Sequence, residues 1–220
     1  MRSALLIAAV MVFVAREAQT KPQLGTVKGS VSVLKGGKAK ADKTGVIIYL
    51  EGVAGTPPAP KDHAIIRQRE KQFDPPLSVV VRGTTVDFPN EDKIFHNVFS
   101  VSRPARFDLG LYKSGTMKSV EMKRTGVVDV YCNIHPDMVA KVKVLENAYY
   151  TITGKDGTFK INNVPAGEYP IVAWLQTGDE AKGTVKVSAG GSAEVKLEVS
   201  EVAKKETHTR KDGTPYGRYK

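Results

Sequence analysis

Short runs in which apolar and polar residues alternate dominate this chain, and no long apolar pattern of helical period appears. Alternation with a period of two is typical of strands that bury one face. Such runs, or short apolar runs of strand length, cover 25–33, 46–50, 64–69, 77–82, 84–88, 96–101, 126–132, 138–144, 158–161, 169–174, 183–187 and 193–199. Glycine and proline clusters separate them, and 102–125 is mostly loop with a short strand near 119–122. The pattern predicts an all-β protein, and the length allows one or two domains.

Two of these runs flank the heptapeptide 132–138. Alternation places the following residues on the core side: Val128, Val130, Cys132, Met138, Ala140, Val142 and Val144. It places Lys141 and Lys143 outside. The sulfurs of Cys132 and Met138 therefore start on the same side of the sheet, and His135 lies between them on the connecting loop.

The heptapeptide and one upstream histidine supply a set of metal donors. Cys132 is the single cysteine of the chain, and His96 precedes it by 36 residues (132 minus 96). With His135 and Met138 the set contains one thiolate, two imidazoles and one thioether. Thiolate and thioether favour Cu(I) while imidazole serves both oxidation states, so this set suits a redox-active copper ion.

These residue types also have other common roles in proteins. Taken alone, a buried cysteine or methionine is usually packing, and a loop histidine is usually a surface residue. A structural zinc site needs four strong ligands, and neither a second cysteine nor a third nearby histidine exists, because His63 and His208 fall in a linker and a tail and are expected to be solvated. A catalytic Cys/His pair needs an orienting group and a cleft. Since neither is indicated, we expect no enzymatic activity.

The segments 83–88, 95–98 and 131–138 resemble the cupredoxin family, close to plastocyanin and amicyanin, and 107–112 resembles plastocyanin-like or methylamine-utilisation proteins of bacteria. The resemblance implies a cupredoxin Greek-key sandwich over 62–147 and a type 1 (blue) copper site. Two positions, Asp87 and Pro89, depart from the family pattern without touching the ligands. The implied ligands of one copper ion are His96, Cys132, His135 and Met138, with Asn97 hydrogen-bonding across to the ligand loop as an outer partner.

Residues 148–199 resemble the second half of a carboxypeptidase regulatory-like domain, a β-sandwich of transthyretin or immunoglobulin type. The usual first half is found near the N-terminus, at 25–31 and 46–50. We therefore hypothesise a discontinuous sandwich, 24–55 plus 148–200, with the cupredoxin domain inserted. The alternative is a linear order in which the first strands extend the copper domain. This discontinuous sandwich is either a scaffold or a docking or carbohydrate-binding module, and Trp174 is expected in its core.

The two ends of the chain differ from its middle. A basic start followed by an apolar run at 4–15 predicts a signal peptide over 1–20, with an uncleaved interfacial anchor as the alternative. Export implies a periplasmic or secreted protein, in which a lone cysteine is a free thiol, an intermolecular link or a metal ligand. Residues 201–220 are polar and basic, which predicts a disordered tail.

The net charge of +10 bears on the choice of partner. We expect a redox protein with an acidic surface, such as a cytochrome or a dehydrogenase. Nucleic acid is not expected, because no basic run is interleaved with aromatics, and membrane contact is expected only through the signal or the surface. The sequence favours one-electron transfer over two alternatives: copper storage or delivery, for which the five methionines would be expected to cluster, and an accessory domain of an enzyme.

Overall fold

Regular structure in the described part of the chain consists of strands. The computed structural model describes residues 23–55, 60–202 and 208–216. The strands are β1 (Leu24–Lys35), β2 (Lys38–Ala39), β3 (Ile47–Leu50), β4 (Ala64–Ile65), β5 (Arg67–Arg69), β6 (Gln72–Asp74), β7 (Leu77–Val81), β8 (Thr85–Pro89), β9 (His96–Ser100), β10 (Phe107–Tyr112), β11 (Met117–Glu121), β12 (Gly126–Tyr131), β13 (Val139–Leu145), β14 (Tyr150–Ile152), β15 (Thr158–Pro165), β16 (Gly167–Trp174), β17 (Glu180–Val187) and β18 (Ser192–Glu201). The predicted all-β class is confirmed. The predicted signal peptide, 1–20, lies outside the described residues.

One sandwich, here called the outer sandwich, consists of two four-stranded sheets. In one sheet β1 lies between β15 and β18 and also pairs with β2, and in the other the order is β14-β3-β16-β17. Their inner faces enclose a core rich in valine, as the alternating runs require. Its fully buried members include Val27, Val46, Ile48, Val164, Ile171 and Ala173. Within the part of the chain that the structure describes, no helix is long and apolar enough to cross a membrane.

The outer sandwich is assembled from both ends of the sequence. Strand β1 pairs in parallel with β18 over ten positions and antiparallel with β15. Strand β3 pairs antiparallel with β14 and with β16. Strands from before residue 55 thus pair with strands from after residue 149, which is the pairing that the insertion hypothesis requires.

The intervening residues form the second sandwich, here called the inner sandwich. Its sheets have the orders β10-β9-β12-β13-β7 and β11-β8-β4, with β5 and β6 as a separate hairpin. Between the sheets lies a second core to which Val128, Val130, Cys132 and Met138 all belong. The predicted alternation on β12 is therefore confirmed, and it directs Cys132 inward.

A smaller apolar cluster joins the two sandwiches. All four residues of β3 are buried, because Ile48 and Leu50 enter the outer core while Ile47 and Tyr49 point to the opposite face. On that face they meet residues of both sandwiches. The cluster contains Ile47, Tyr49, Leu145 and Val172, with Leu77, Val79, Tyr150 and Trp174 packed against it. Trp174 thus packs half-buried at this junction instead of lying in the outer core.

The expectation that Lys141 and Lys143 are exposed is wrong: they are only 8% and 7% exposed. The ammonium of Lys143 lies over the rings of Tyr49 and Trp174, at 5.1 and 4.9 Å from their centres. Burial lowers the pKa of Lys143. Period-two alternation tells which residues share a face but not what covers that face. Residues of the outer sandwich cover Lys143, and Lys141 lies along its own sheet beside Asp129 on β12.

Two segments near the ligand residues, 64–74 and 107–112, differ from the sequence expectation. The run 64–69 divides into β4 and β5, and β5 turns back through Glu70 and Lys71 into β6. Both turn residues have positive φ, 53° and 56°. Residues 107–112, expected in a loop, form strand β10, which pairs with β9 directly beside His96. The additional hairpin and strand both carry groups that contact the metal-ligand region.

Candidate metal centre

The heptapeptide 132–138 connects two antiparallel neighbours at one end of the inner sandwich. Strands β12 and β13 are in register from Gly126 opposite Val144 to Tyr131 opposite Val139. Beyond this last pair, the N–H of Cys132 donates to the carbonyl of Met138, and the N–H of Met138 donates to the carbonyl of His135, both at 3.2 Å. The loop is therefore short and closed on itself, and Cys132 and Met138 are held at its base.

His96 reaches the same place from the neighbouring strand. It is the first residue of β9, which pairs with β12 through Phe99 opposite Tyr131. His96 and Cys132 are fully buried, whereas His135 is partly exposed. The three side chains meet because the two strands are adjacent in the sheet. The sequence separation of 36 residues (132 minus 96) gives no indication of that adjacency.

The donor atoms have the spacing of a mononuclear metal site. Nδ1 of His96 lies 3.1 Å from Nδ1 of His135, and Sγ of Cys132 lies 4.0 and 3.7 Å from these nitrogens. Three donors in a plane around one ion, at bond lengths of about 2.0 Å for nitrogen and about 2.3 Å for sulfur, are separated by about 3.5 to 3.7 Å. The predicted proximity of His96 to Cys132 is therefore confirmed, and the donors fit an ion without a large rearrangement.

Met138 completes the predicted set. It is fully buried in the same core cluster as Cys132. Its backbone is hydrogen-bonded to both Cys132 and His135, so its side chain enters the core at the base of the ligand loop. A thiolate, two imidazoles and a thioether together match the trigonal arrangement with a weak axial thioether that binds copper in electron-transfer proteins.

The surroundings of Cys132 favour its ionised form. Burial opposes ionisation, but the hydrogen bond with His96 and the backbone N–H groups of Asn97, Ile134 and His135 outweigh it and lower the pKa of the thiol. Thiolate is the form that binds a metal. The backbone amides thus provide part of the charge stabilisation that the site needs.

The pKa values of His96 and His135 are shifted in opposite directions. Burial opposes protonation of His96, but its hydrogen bonds to Cys132 and Asp92 raise its pKa. Burial, the neighbouring charge of His96 and that of Lys71 lower the pKa of His135. A metal ion binds the thiolate and the neutral imidazoles, so its binding displaces whatever protons these side chains carry.

Asp92, which the sequence analysis missed, orients His96. Its carboxylate oxygen Oδ2 lies 2.7 Å from Nε2 of His96, which leaves Nδ1 directed at the other donors. The same carboxylate accepts the N–H groups of Glu70 and Lys71, at 2.6 and 2.9 Å. Glu70 and Lys71 are the two turn residues with positive φ. The backbone N–H of Asp92 in turn donates a hydrogen bond to the side-chain oxygen of Asn90. A carboxylate four residues before a ligand histidine is the sequence signal that was available.

The hydrogen bond to the ligand loop that the resemblance implied for Asn97 comes from its backbone and not from its side chain. Its side-chain amide donates to Asp108 at 2.8 Å and not to the ligand loop. The contribution of Asn97 to the site comes instead from its backbone N–H, which faces the sulfur of Cys132. The cause is strand β10, which was expected to be loop and which carries Asp108 opposite Phe99, next to Asn97.

The remaining two histidines lie outside the donor cluster. His63 is exposed and pairs with the buried carboxylate of Asp87 at 3.0 Å. The sequence predicts that His208 is solvated. In the structure its ring instead stacks on Tyr131 with ring centres 4.3 Å apart. Among the described residues, the metal-binding combination of histidine, cysteine and carboxylate side chains is His96, Cys132 and His135.

We expect replacement of Asp92 by alanine to weaken copper binding about 10- to 100-fold, the usual effect of losing the outer partner of a ligand histidine. The matched control is Asp87→Ala, which removes the carboxylate of the other histidine–carboxylate pair of the same sandwich. Competition titration with a copper chelator measures both affinities. Equal affinities of the two variants would contradict the orienting role of Asp92.

Comparison with known proteins gives matches to parts of the chain. Residues 125–195 match a family described as polysaccharide lyase family 4, domain II. The matched residues include β12 and β13, which belong by strand pairing to the inner sandwich. The limits of the match therefore do not follow the boundary between the two sandwiches. A search of the curated proteins gives no match.

Among solved structures, the chain is similar to a Cu(I) form of an amicyanin variant, with 23% identity over 44% of this chain and 98% of that chain, and a TM-score of 0.36. It is also similar to a purple cupredoxin from Nitrosopumilus maritimus, with 24% identity over 37% of this chain and 99% of that one, and a TM-score of 0.34.

Proposed function

We propose that this chain is a type 1 copper protein that transfers single electrons through a site formed by His96, Cys132, His135 and Met138. The observation that supports it best is the cluster of one sulfur and two imidazole nitrogens, all within 4.8 Å of one another. Bound copper would supply the Cu(I)/Cu(II) couple. The protein has to hold the four donor atoms in an arrangement that both oxidation states of copper accept.

Several features of the chain support that requirement. Cys132 and Met138 are fixed at the base of a closed loop between two paired strands, and His96 is fixed by Asp92. Rigid donors change little between oxidation states, which keeps the barrier to electron transfer low. His135 is the partly exposed ligand, so we propose that electrons enter and leave through its ring.

The test combines spectroscopy with electrochemistry on the copper-loaded protein. An intense visible thiolate band, a spin-resonance spectrum with small copper hyperfine splitting and reversible one-electron voltammetry are expected. A colourless copper-loaded protein would contradict the proposal. Transfer of Cu(I) to an acceptor protein without reversible cycling would favour the alternative, copper storage or delivery.

Replacement of Met138 by leucine is expected to shift the reduction potential while preserving the fold. Leucine and methionine have similar volumes, so the loss in unfolding free energy should stay below about 1.5 kcal/mol. Met122→Leu is the matched control, because Met122 is equally buried in the same core. Voltammetry of both variants decides: a shift for Met138→Leu alone supports the axial role, and equal potentials in both variants and the parent protein would contradict it.

We further propose that the protein acts in the periplasm or is secreted, that it catalyses no reaction of its own, and that its partner is an acidic redox protein. The net charge of +10 supports the choice of partner. Raising the ionic strength from 10 to 200 mM should slow electron exchange with an acidic cytochrome about tenfold or more, because salt screens the attraction that speeds encounter. Stopped-flow kinetics measure this, and a rate independent of salt would contradict an electrostatically guided partner.

A further inference from the structure

The segment 208–216, here called the C-terminal strap, lies against the ligand loop of the inner sandwich. It is a compact turn in which Arg210 donates its N–H to the carbonyl of Thr214, and Gly213 donates its own to the carbonyl of Arg210. Gly213 has a φ of 84°, which a glycine adopts without strain. The strap therefore has a defined backbone of its own.

Two hydrogen bonds connect the strap to the ligand loop beside the thiolate ligand. The hydroxyl of Tyr216 donates to the backbone carbonyl of Cys132 at 2.6 Å. The N–H of Lys211 donates to Oδ1 of Asn133, the next residue, at 3.0 Å. The hydrogen bonds that close the loop internally, at 3.2 Å, are long for N–H to oxygen contacts. The bonds from the strap thus add to those that hold Cys132.

The strap also connects the ligand loop to the strands that hold His96. The ammonium of Lys211 lies 2.6 Å from the carboxylate of Asp108 on β10. The same carboxylate accepts a hydrogen bond from the side-chain amide of Asn97, the neighbour of His96. Burial opposes ionisation of Asp108, but hydrogen bonds from Lys211, Gly110 and Asn97 together outweigh it and hold the pKa of Asp108 below its usual value. One segment therefore joins both sides of the donor cluster.

Stacked rings cover the space between these polar contacts. His208 lies almost parallel to Tyr131, with an angle of 13° between the rings, and Tyr216 packs against His208 with ring centres 5.1 Å apart. Tyr131 directly precedes Cys132 in the sequence and contacts Phe99 on its other side. The strap thus shields the outer face of β12 where the strand ends and the ligand loop begins.

We infer that the C-terminal strap is a positioning element of the metal site. It fixes Cys132 from outside the sandwich, through Tyr216, and links the ligand loop to β10 through Lys211. The inference rests on the proposed function only for the identity of the metal, because the contacts belong to the protein alone. Its consequence is that the rigidity of the site depends on a part of the chain that begins 70 residues beyond the last ligand (208 minus 138).

The experiment measures amide hydrogen exchange of residues 132–138 in the metal-free full-length protein. Tyr216→Phe removes one hydrogen bond, which should speed exchange about fivefold, and adding Lys211→Ala should speed it further. The control is Tyr150→Phe with Lys186→Ala, which makes the same two changes in the outer sandwich. Amides of β16 serve as the internal reference.

Faster exchange confined to the ligand loop of the Tyr216→Phe, Lys211→Ala protein would support the inference. Unchanged exchange, or equal acceleration in β16, would overturn it. Because this measurement needs no metal, it separates the inference from the proposed function: a protein that fails to take up copper can still show the effect of the strap. In the copper-loaded protein, the same variant should release Cu(I) to a chelator faster than the control.

Discussion

Replacement of Cys132 by serine is expected to abolish the intense visible absorption of the copper-loaded protein. The band requires a thiolate on the ion, and a serine hydroxyl is neither ionised at neutral pH nor a soft donor. Copper affinity should fall by more than about 100-fold, beyond the effect of losing an outer partner of a ligand. Absorption spectroscopy and chelator competition measure the two quantities.

The control for this substitution is Val130→Thr. Val130 precedes Cys132 by two residues on the same face of β12 and is also fully buried. The new hydroxyl should lower the unfolding free energy by about 1 to 3 kcal/mol without changing the absorption band. Loss of the band in both variants would mean that a buried hydroxyl disrupts the core, and a band that survives in Cys132→Ser would refute thiolate coordination.

Replacement of Gly29 by alanine should destabilise the outer sandwich by about 3 kcal/mol or more, at the upper end of overpacking effects. Gly29 lies on β1 between Phe159 and Val195. A Cβ at this position would overlap the backbone carbonyl oxygen of Val195 and approach Cζ of Phe159 to 2.8 Å. Since a backbone group cannot move aside as a flexible side chain can, the strands have to separate.

Gly154→Ala is the matched control, because a Cβ there meets nothing within 4 Å. Chemical denaturation monitored by circular dichroism gives the unfolding free energies. A large loss for Gly29→Ala and a small change for Gly154→Ala would show in solution that β1 is a central strand between β15 and β18. Equal stabilities would contradict this pairing and favour the linear order of domains.

The site itself shows how far sequence reasoning extends. Cys132, His135 and Met138 were assigned together because seven consecutive residues between two alternating runs leave little freedom for their donors. His96 was assigned from its donor type and the family resemblance, and its ring is where the thiolate requires it. By contrast, Asp92 acquires its role through the β5–β6 hairpin, whose turn uses residues with positive φ that no local pattern predicted.

The terminal tail shows the opposite limit. Composition predicts disorder over 201–220, yet Glu201 ends β18 and 208–216 contact the ligand loop, while 203–207 and 217–220 lie outside the described residues. Basic and polar composition indicates that a segment lacks a core of its own. It does not indicate whether the segment finds partners such as Asp108 and Tyr131 on a domain that is already folded.

Residue type and local period suffice to predict the strand-rich class, the face on which Cys132 lies and the chemical nature of the donor set. Three features follow only from long-range contacts: Lys143 is buried against two rings, Asn97 donates to Asp108, and a distant segment contacts the ligand loop. These features depend on which surfaces pack together. Contacts between residues far apart in the chain produce no periodic pattern in the sequence.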